Sequence, residues 1–160
     1  MHLNQQQVAT FPKVKPYTGE ILSHGALLRT STVDAGPDRP ISYQALLRSC
    51  DFGGFFHTAA EDNPCIQVQL AGENELTGII LVNRFEACSE RQVPLKVSAS
   101  SDGKTWKELG LFTKNQLVFQ LDLENQKIRA KFIRIERPPV TGRREPFHLR
   151  NILVYGKRLS

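Results

Sequence analysis

The chain has 160 residues, 40% hydrophobic and 23% charged, a length and composition that suit one folded domain with a buried core and exclude a disordered chain. Its net charge of +5 comes from 21 basic and 16 acidic residues, without a zinc-finger spacing or an aromatic-basic RNA-binding strand, so nucleic acid is not an expected partner and the charge reads as a solvated face. No run approaches the ~18 apolar residues that would cross a bilayer as a helix, so no membrane insertion is expected.

Residues 1–20 are polar and punctuated by Pro12 and Pro16, and read as an arm along the outside of a single domain spanning 21–160. The start, Met1-His2-Leu3-Asn4-Gln5-Gln6-Gln7, has neither the basic residues nor the apolar run of a secretion signal. The expectation is a cytoplasmic protein or a piece of a longer chain. Ile21 to Leu28 suits a short first strand pair. Ala35-Gly36-Pro37-Asp38-Arg39-Pro40 is a loop by its turn residues, Tyr43 to Arg48 suits one helical turn, and Asp51-Phe52-Gly53-Gly54 turns again.

From Cys65 the pattern is β. Ile66, Val68 and Leu70 alternate with Gln67 and Gln69, Gly72-Glu73-Asn74-Glu75 reads as a turn, and Leu76 to Val82 is an apolar strand to be covered on both faces. Leu95, Val97 and Ala99 alternate with Lys96, Ser98 and Ser100, and Ser101-Asp102-Gly103-Lys104 closes a hairpin towards Trp106. Leu117, Phe119, Leu121 and Leu123 predict a further strand, as do Ala130 to Ile135 and Phe147 to Gly156. Seven or eight strands with almost no helical periodicity predict an all-β sandwich.

Two polar loops flank the apolar strands, 55–65 and 83–91, and would emerge at one end of the sheet. His57, Arg84 and Arg91 supply one imidazole and two planar five-donor guanidiniums, with Phe55, Phe56 and Phe85 as apolar surface beside them. This set suits a ligand with hydroxyls on one side and a C–H face on the other, as a sugar ring has. Phe55 and Phe56 are adjacent, so only one of them would face inward on a strand.

These loops resemble those of fucolectins, a branch of the discoidin (coagulation factor V/VIII type C) domains that also includes family 32 carbohydrate-binding modules. The residues carrying the resemblance are His57, Asn63-Pro64, Asn83-Arg84, Cys88 and Glu90-Arg91. Support outside the loops comes from Ser98-x-Ser100-Ser101-Asp102-Gly103-x-x-Trp106, Ala130 to Ile135 and the closing strand from Phe147, so that roughly residues 40–156 are covered. The resemblance implies a jelly-roll, galactose-binding-like β-sandwich with Trp106 in its core. It implies a glycan or monosaccharide as partner, with His57, Arg84 and Arg91 bonding ring hydroxyls and the ring oxygen, and Phe85 and Phe55 covering the apolar face.

The chain departs from that family in three ways. Fucolectins carry adjacent cysteines in the second loop, and Ala87-Cys88 cannot form their vicinal disulfide. The family's calcium-binding segment is replaced by Ala45-Leu46-Leu47-Arg48-Ser49, which lacks the hard oxygens calcium requires, so no metal of the family's type is expected, with Asp51 and Asn151 as remnants at most. Cys65 and Gln69 stand where the family usually has Trp and Asp.

The three cysteines, Cys50, Cys65 and Cys88, have no paired spacing and read as reduced thiols. No nucleophile elbow, phosphate loop or HExxH helix is present, and no cofactor motif, so the reading is a non-catalytic module. Two alternatives stand beside it: a module for acidic glycans, phosphates or acidic peptides, which two neighbouring guanidiniums would also suit, and the targeting domain of a larger carbohydrate-active enzyme. His148 and Arg150, at the start of the last strand, read as structural. The sequence does not specify an oligomeric state.

Overall fold

Residues 14, 16–31, 47, 56–84 and 88–159 are described by the computed structural model, Phe56 and His57 as backbone. The strands are β1 (Glu20–Ile21), β2 (Leu27–Thr30), β3 (Phe56–His57), β4 (Cys65–Asn83), β5 (Leu95–Ser100), β6 (Lys107–Phe112), β7 (Val118–Asp122), β8 (Ile128–Glu136) and β9 (His148–Arg158). Among the described residues a single 3₁₀ turn, Ser89–Gln92, follows β4. All pairings between these strands are antiparallel. Among the described residues no helix is long and apolar enough to cross a membrane.

β4 organises the molecule. Its first part pairs with β2 and β8, its last part with β7 and β9, and the β8 register shifts between Gln69 and Asn74. The expected turn at residues 72–75 is therefore a corner within one 19-residue strand that passes from layer to layer. Gly72 takes the left-handed conformation there, with φ of 62°. The Asn74 side-chain amide replaces lost ladder bonds by donating to the carbonyl oxygens of Ala71, Gly72 and Ala130 at 3.1–3.3 Å. Both ends of β4 consequently lie at the same end of the sandwich. Arg137 makes this visible, because its backbone N–H bonds the Pro64 carbonyl before β4 while its side chain reaches the Arg91 carbonyl beyond it.

The two layers face each other across one core. Ile66, Val68, Ile133, Ile135 and Val97 of one layer meet Ile79, Leu81, Ile152, Val154 and Phe119 of the other, all at or near zero exposure. Each such side chain contributes roughly 1.5–3 kcal/mol by leaving water. β6 closes onto β7, with the Phe112 and Phe119 rings 5.1 Å apart. This is the expected all-β jelly-roll sandwich.

Leu76–Val82 is covered on both faces as its composition predicts. Ile80 and Val82 join Leu153 and Tyr155 in a second cluster, capped by Val14, Tyr17 and Ile21. The described part of the N-terminal arm thus lies against the outer face. β1 and β2 are the short strands expected around Ile21 to Leu28, and they join different layers, β1 on β9 and β2 on β4.

Trp106 departs from expectation. It is half-buried rather than in the core, and the Arg134 guanidinium lies 4.0 Å from its ring centroid. Arg134 alternates with the core residues Ile133 and Ile135 on β8, so the ring it covers sits on an outer face. Leu117 also lies outside its expected strand and is 38% exposed, while Phe119, Leu121 and Leu123 pack inward. The helical turn expected over 43–48 falls outside the described residues except for Leu47, which is helical and fully buried.

Candidate functional site

The candidate loops meet at the end of the sandwich where β9 begins. β3 pairs His57 with His148 and Phe56 with Leu149, and on the other side of β9 Asn83 pairs with Leu149. His57 and Asn83-Arg84 therefore flank the first residues of β9, although 26 residues separate His57 from Arg84 in the chain. The 3₁₀ turn bearing Arg91 is tied to the same place through two buried amides.

Asn83 and Gln92 are fully buried and form this tie. The Asn83 Oδ1 accepts from Gln92 Nε2 at 2.7 Å and from the Arg84 backbone N–H at 2.7 Å. Asn83 Nδ2 donates to the Ser89 and Gln116 carbonyls and to Asn115 Oδ1 at 2.9–3.0 Å. Gln92 Oε1 in turn accepts the His148 N–H at 3.3 Å. One amide pair thus sets the backbone at Arg84, the turn carrying Arg91 and the start of β9.

Beneath the loops lies Arg137, 1% exposed. Its Nη1 donates to the Arg91 carbonyl at 2.7 Å and the Pro146 carbonyl at 3.2 Å, and its Nη2 donates to the carbonyls of Glu61 and Glu145. Three loops are held by one planar donor set, a task for which a lysine lacks the geometry. Burial, and the like charges of Arg143 and Arg91, lower the Arg137 pKa from the ordinary arginine value, against the opposing pull of Glu145 and Glu61. Arg143 adds a second clamp: Nη1 and Nη2 donate to the carbonyls of Val93 and Glu90, and Nε donates to Glu145 Oε2 at 2.8 Å. That bond, foremost, holds the Glu145 carboxyl below its usual pKa.

Arg84 and Arg91 are half-buried at the rim. Among the described residues Arg91 has no carboxylate within ion-pair distance, and its neighbour Glu90 is engaged by Arg143 through the backbone carbonyl. Of His57 the backbone is described, and Phe55 and Phe85 lie outside the described residues. His148 and Arg150 are buried within β9, at 0% and 6% exposure, in keeping with a structural role.

The residues that would replace the family's calcium ligands lie outside the described residues apart from Leu47. Its alkyl side chain is in the core and its carbonyl oxygen accepts Ser23 Oγ at 3.0 Å. Among the described residues no group of three or more His, Cys, Asp or Glu is placed to hold a metal ion.

Sequence reasoning overlooked Arg137, Arg143 and the Asn83–Gln92 pair as the frame of the site. The signal for Arg137 was a charged residue between an apolar strand and Pro138-Pro139, where burial requires several acceptors at once.

The fold and its loop cluster define a discoidin-type β-sandwich. The profile of the F5/8 type C domain matches residues 38–145, and the chain belongs to that family. No curated protein sequence matches it significantly. Solved structures similar in fold include a fucolectin from striped bass (Morone saxatilis) serum, at 17% identity and a TM-score of 0.74 over 90% of this chain and 50% of that one. A fucose-binding module of Streptococcus pneumoniae matches at 16% identity and 0.69, over 87% and 99% of the respective chains. A family 32 module of Clostridium perfringens, in complex with GalNAc-β-1,3-galactose, matches at 12% identity and 0.68, over 86% and 100%.

Proposed function

We propose that this chain is a non-catalytic carbohydrate-binding module that takes fucose, galactose or a related hexose on a glycan at the β9 end of the sandwich. The observation that carries the reading is the meeting of three sequence-distant segments: the His57 strand, Asn83-Arg84 and the 3₁₀ turn with Arg91, around the first residues of β9. The names of the similar structures, a fucolectin, a fucose-binding module and a module with a bound galactose-containing disaccharide, support the same class of ligand.

In this reading Arg84 and Arg91 donate to a ring hydroxyl and the ring oxygen, His57 bonds a further hydroxyl, and Phe85 and Phe55 cover the C–H face. Water already satisfies a sugar's hydroxyls, so only donors fixed in advance give net affinity. The frame of Arg137, Asn83 and Gln92 supplies that fixation for the backbone under both arginines. Hydrogen bonds to charged groups contribute about 1.5–3 kcal/mol each before ordering costs, which puts a single site in the micromolar to millimolar range. Repeated copies would raise this by avidity.

Calorimetric titration of L-fucose, galactose and a uronic acid against the protein and its Arg84→Ala variant tests the reading. Saturable binding of a neutral hexose, weakened by the substitution, supports it. Equal, negligible heats for every sugar would remove it.

A further inference from the structure

At the opposite end of the sandwich, beside the β4 corner, lies a hollow of ≈ 480 Å³, within the range of small-ligand sites. Four segments build it: the link between β1 and β2, the corner itself, Lys131 of β8 and Arg158 of β9. Along a strand rising about 3.3 Å per residue, the stretch from Leu76 to Asn83 places it roughly 20 Å or more from the loop site. No single sugar residue spans the two.

Its lining contains three basic side chains, His24, Lys131 and Arg158, and no aspartate or glutamate. Lys131, half-buried, has no ion-pair partner among the described residues. Arg158 gives its Nε to Glu20 Oε1 at 2.9 Å, which leaves the two terminal amino groups of its guanidinium beyond that bond. Of the corner's two acids, Glu73 has the Ser101 hydroxyl 3.4 Å from its Oε2, and Glu75 lines a separate hollow with Thr18, Gly19 and Glu20. Lys131, and Arg158 through the part of its guanidinium beyond the Glu20 bond, give the hollow donors and a positive field that favour an anion. Ala26 and the 65%-exposed Leu27 add apolar surface to the same hollow.

We propose that this hollow is a second binding site, for a sugar-sized ligand bearing an oxyanion group such as a carboxylate or a sulfate ester. The anion sits among Lys131, Arg158 and His24, and the C–H face of the ring lies on Leu27 and Ala26. The site is independent of the one at the β9 end. A module with both would engage two points of a glycan, or two glycans, at once.

The test is a titration of the ¹⁵N-labelled chain with galacturonate, galactose 6-sulfate, galactose and inorganic sulfate, followed by amide shifts. Saturable shifts at Gly25, Ala71 and Gly72 with either acidic sugar support the proposal, as do about tenfold losses of affinity in Lys131→Ala and Arg158→Ala but not in Arg84→Ala. Galactose moving the same amides as strongly would overturn the requirement for an anion, and inorganic sulfate saturating at the same concentration would overturn the role of the sugar body. Shifts confined to Ser89–Gln92, or none at Gly25, Ala71 and Gly72, would overturn the site altogether.

Discussion

The Nη1 of Arg137 lies 2.7 Å from the carbonyl oxygen of Arg91, so a buried guanidinium holds the backbone of a residue whose own guanidinium is at the half-buried rim. The same buried group reaches the carbonyls of Glu61, Glu145 and Pro146. Arg137→Ala strands four carbonyl oxygens that water cannot easily satisfy, and we expect a loss of roughly 3 kcal/mol or more in urea denaturation. Arg137→Lys restores charge but not the fork, and should recover only part of it. Full stability in the alanine variant would show that the loops hold themselves.

Asn83 connects Arg84, the 3₁₀ turn and the loop before β7 through one side chain. Asn83→Leu keeps much of the volume and removes every one of these bonds while leaving Gln92 buried with fewer partners. Destabilisation of about 2–4 kcal/mol is expected by thermal or urea melting. Amide exchange should accelerate at Ser89–Gln92 before it does in the core strands.

Arg91 offers a cleaner separation of binding from folding. Its guanidinium has no carboxylate partner among the described residues, so Arg91→Ala should change stability by less than about 0.5 kcal/mol. If it contacts a hexose as proposed, affinity measured by calorimetry falls about tenfold to a hundredfold. A large drop in melting temperature instead would make it a structural arginine.

How much of this was legible in the sequence follows from which residues act alone and which act through others. Period-two alternation in Ile66, Val68 and Leu70, and in Leu95, Val97 and Ala99, identifies core faces because each side chain's burial depends on its own strand. The corner at Gly72 to Glu75 was visible as turn residues, yet whether the ladder continues through such a place depends on Asn74 reaching the Ala130 carbonyl, a partner 56 residues away. Likewise the positions of Arg84 and Arg91 were marked by type and spacing, whereas Arg137 holds their loops through backbone carbonyls, which carry no side-chain signature. Trp106 shows the converse: a residue expected inside sits outside because Arg134 covers it.

Gly78 lies under the Tyr17 ring, and a Cβ built on it would come within 2.0 Å of Tyr17 Cδ2. A ring carbon of the N-terminal arm cannot share that space, so Gly78→Ala must lift Tyr17 from Tyr155, its edge-on neighbour at 6.0 Å. A cost of about 1–3 kcal/mol and faster proteolysis of the arm are expected. Unchanged proteolysis would mean that the arm is held elsewhere.

Asp102 sets the acid limb of the β5–β6 hairpin. Its Oδ1 accepts the N–H groups of Thr105 and Lys104 at 2.8 Å and the Ser100 hydroxyl at 3.0 Å, which pulls the carboxyl pKa down from 3.8 to about 2. A carboxyl depressed in the folded state binds fewer protons there than in the unfolded chain, so its stabilising effect is complete above the unfolded value of 3.8 and fades as pH falls towards about 2. The stability gap between the protein and Asp102→Asn should accordingly stay constant from neutral pH down to about 5 and then narrow below 4. Denaturation midpoints taken across that range decide it: a gap that persists unchanged at pH about 2 would show that the difference between the two side chains does not come from the carboxylate's charge.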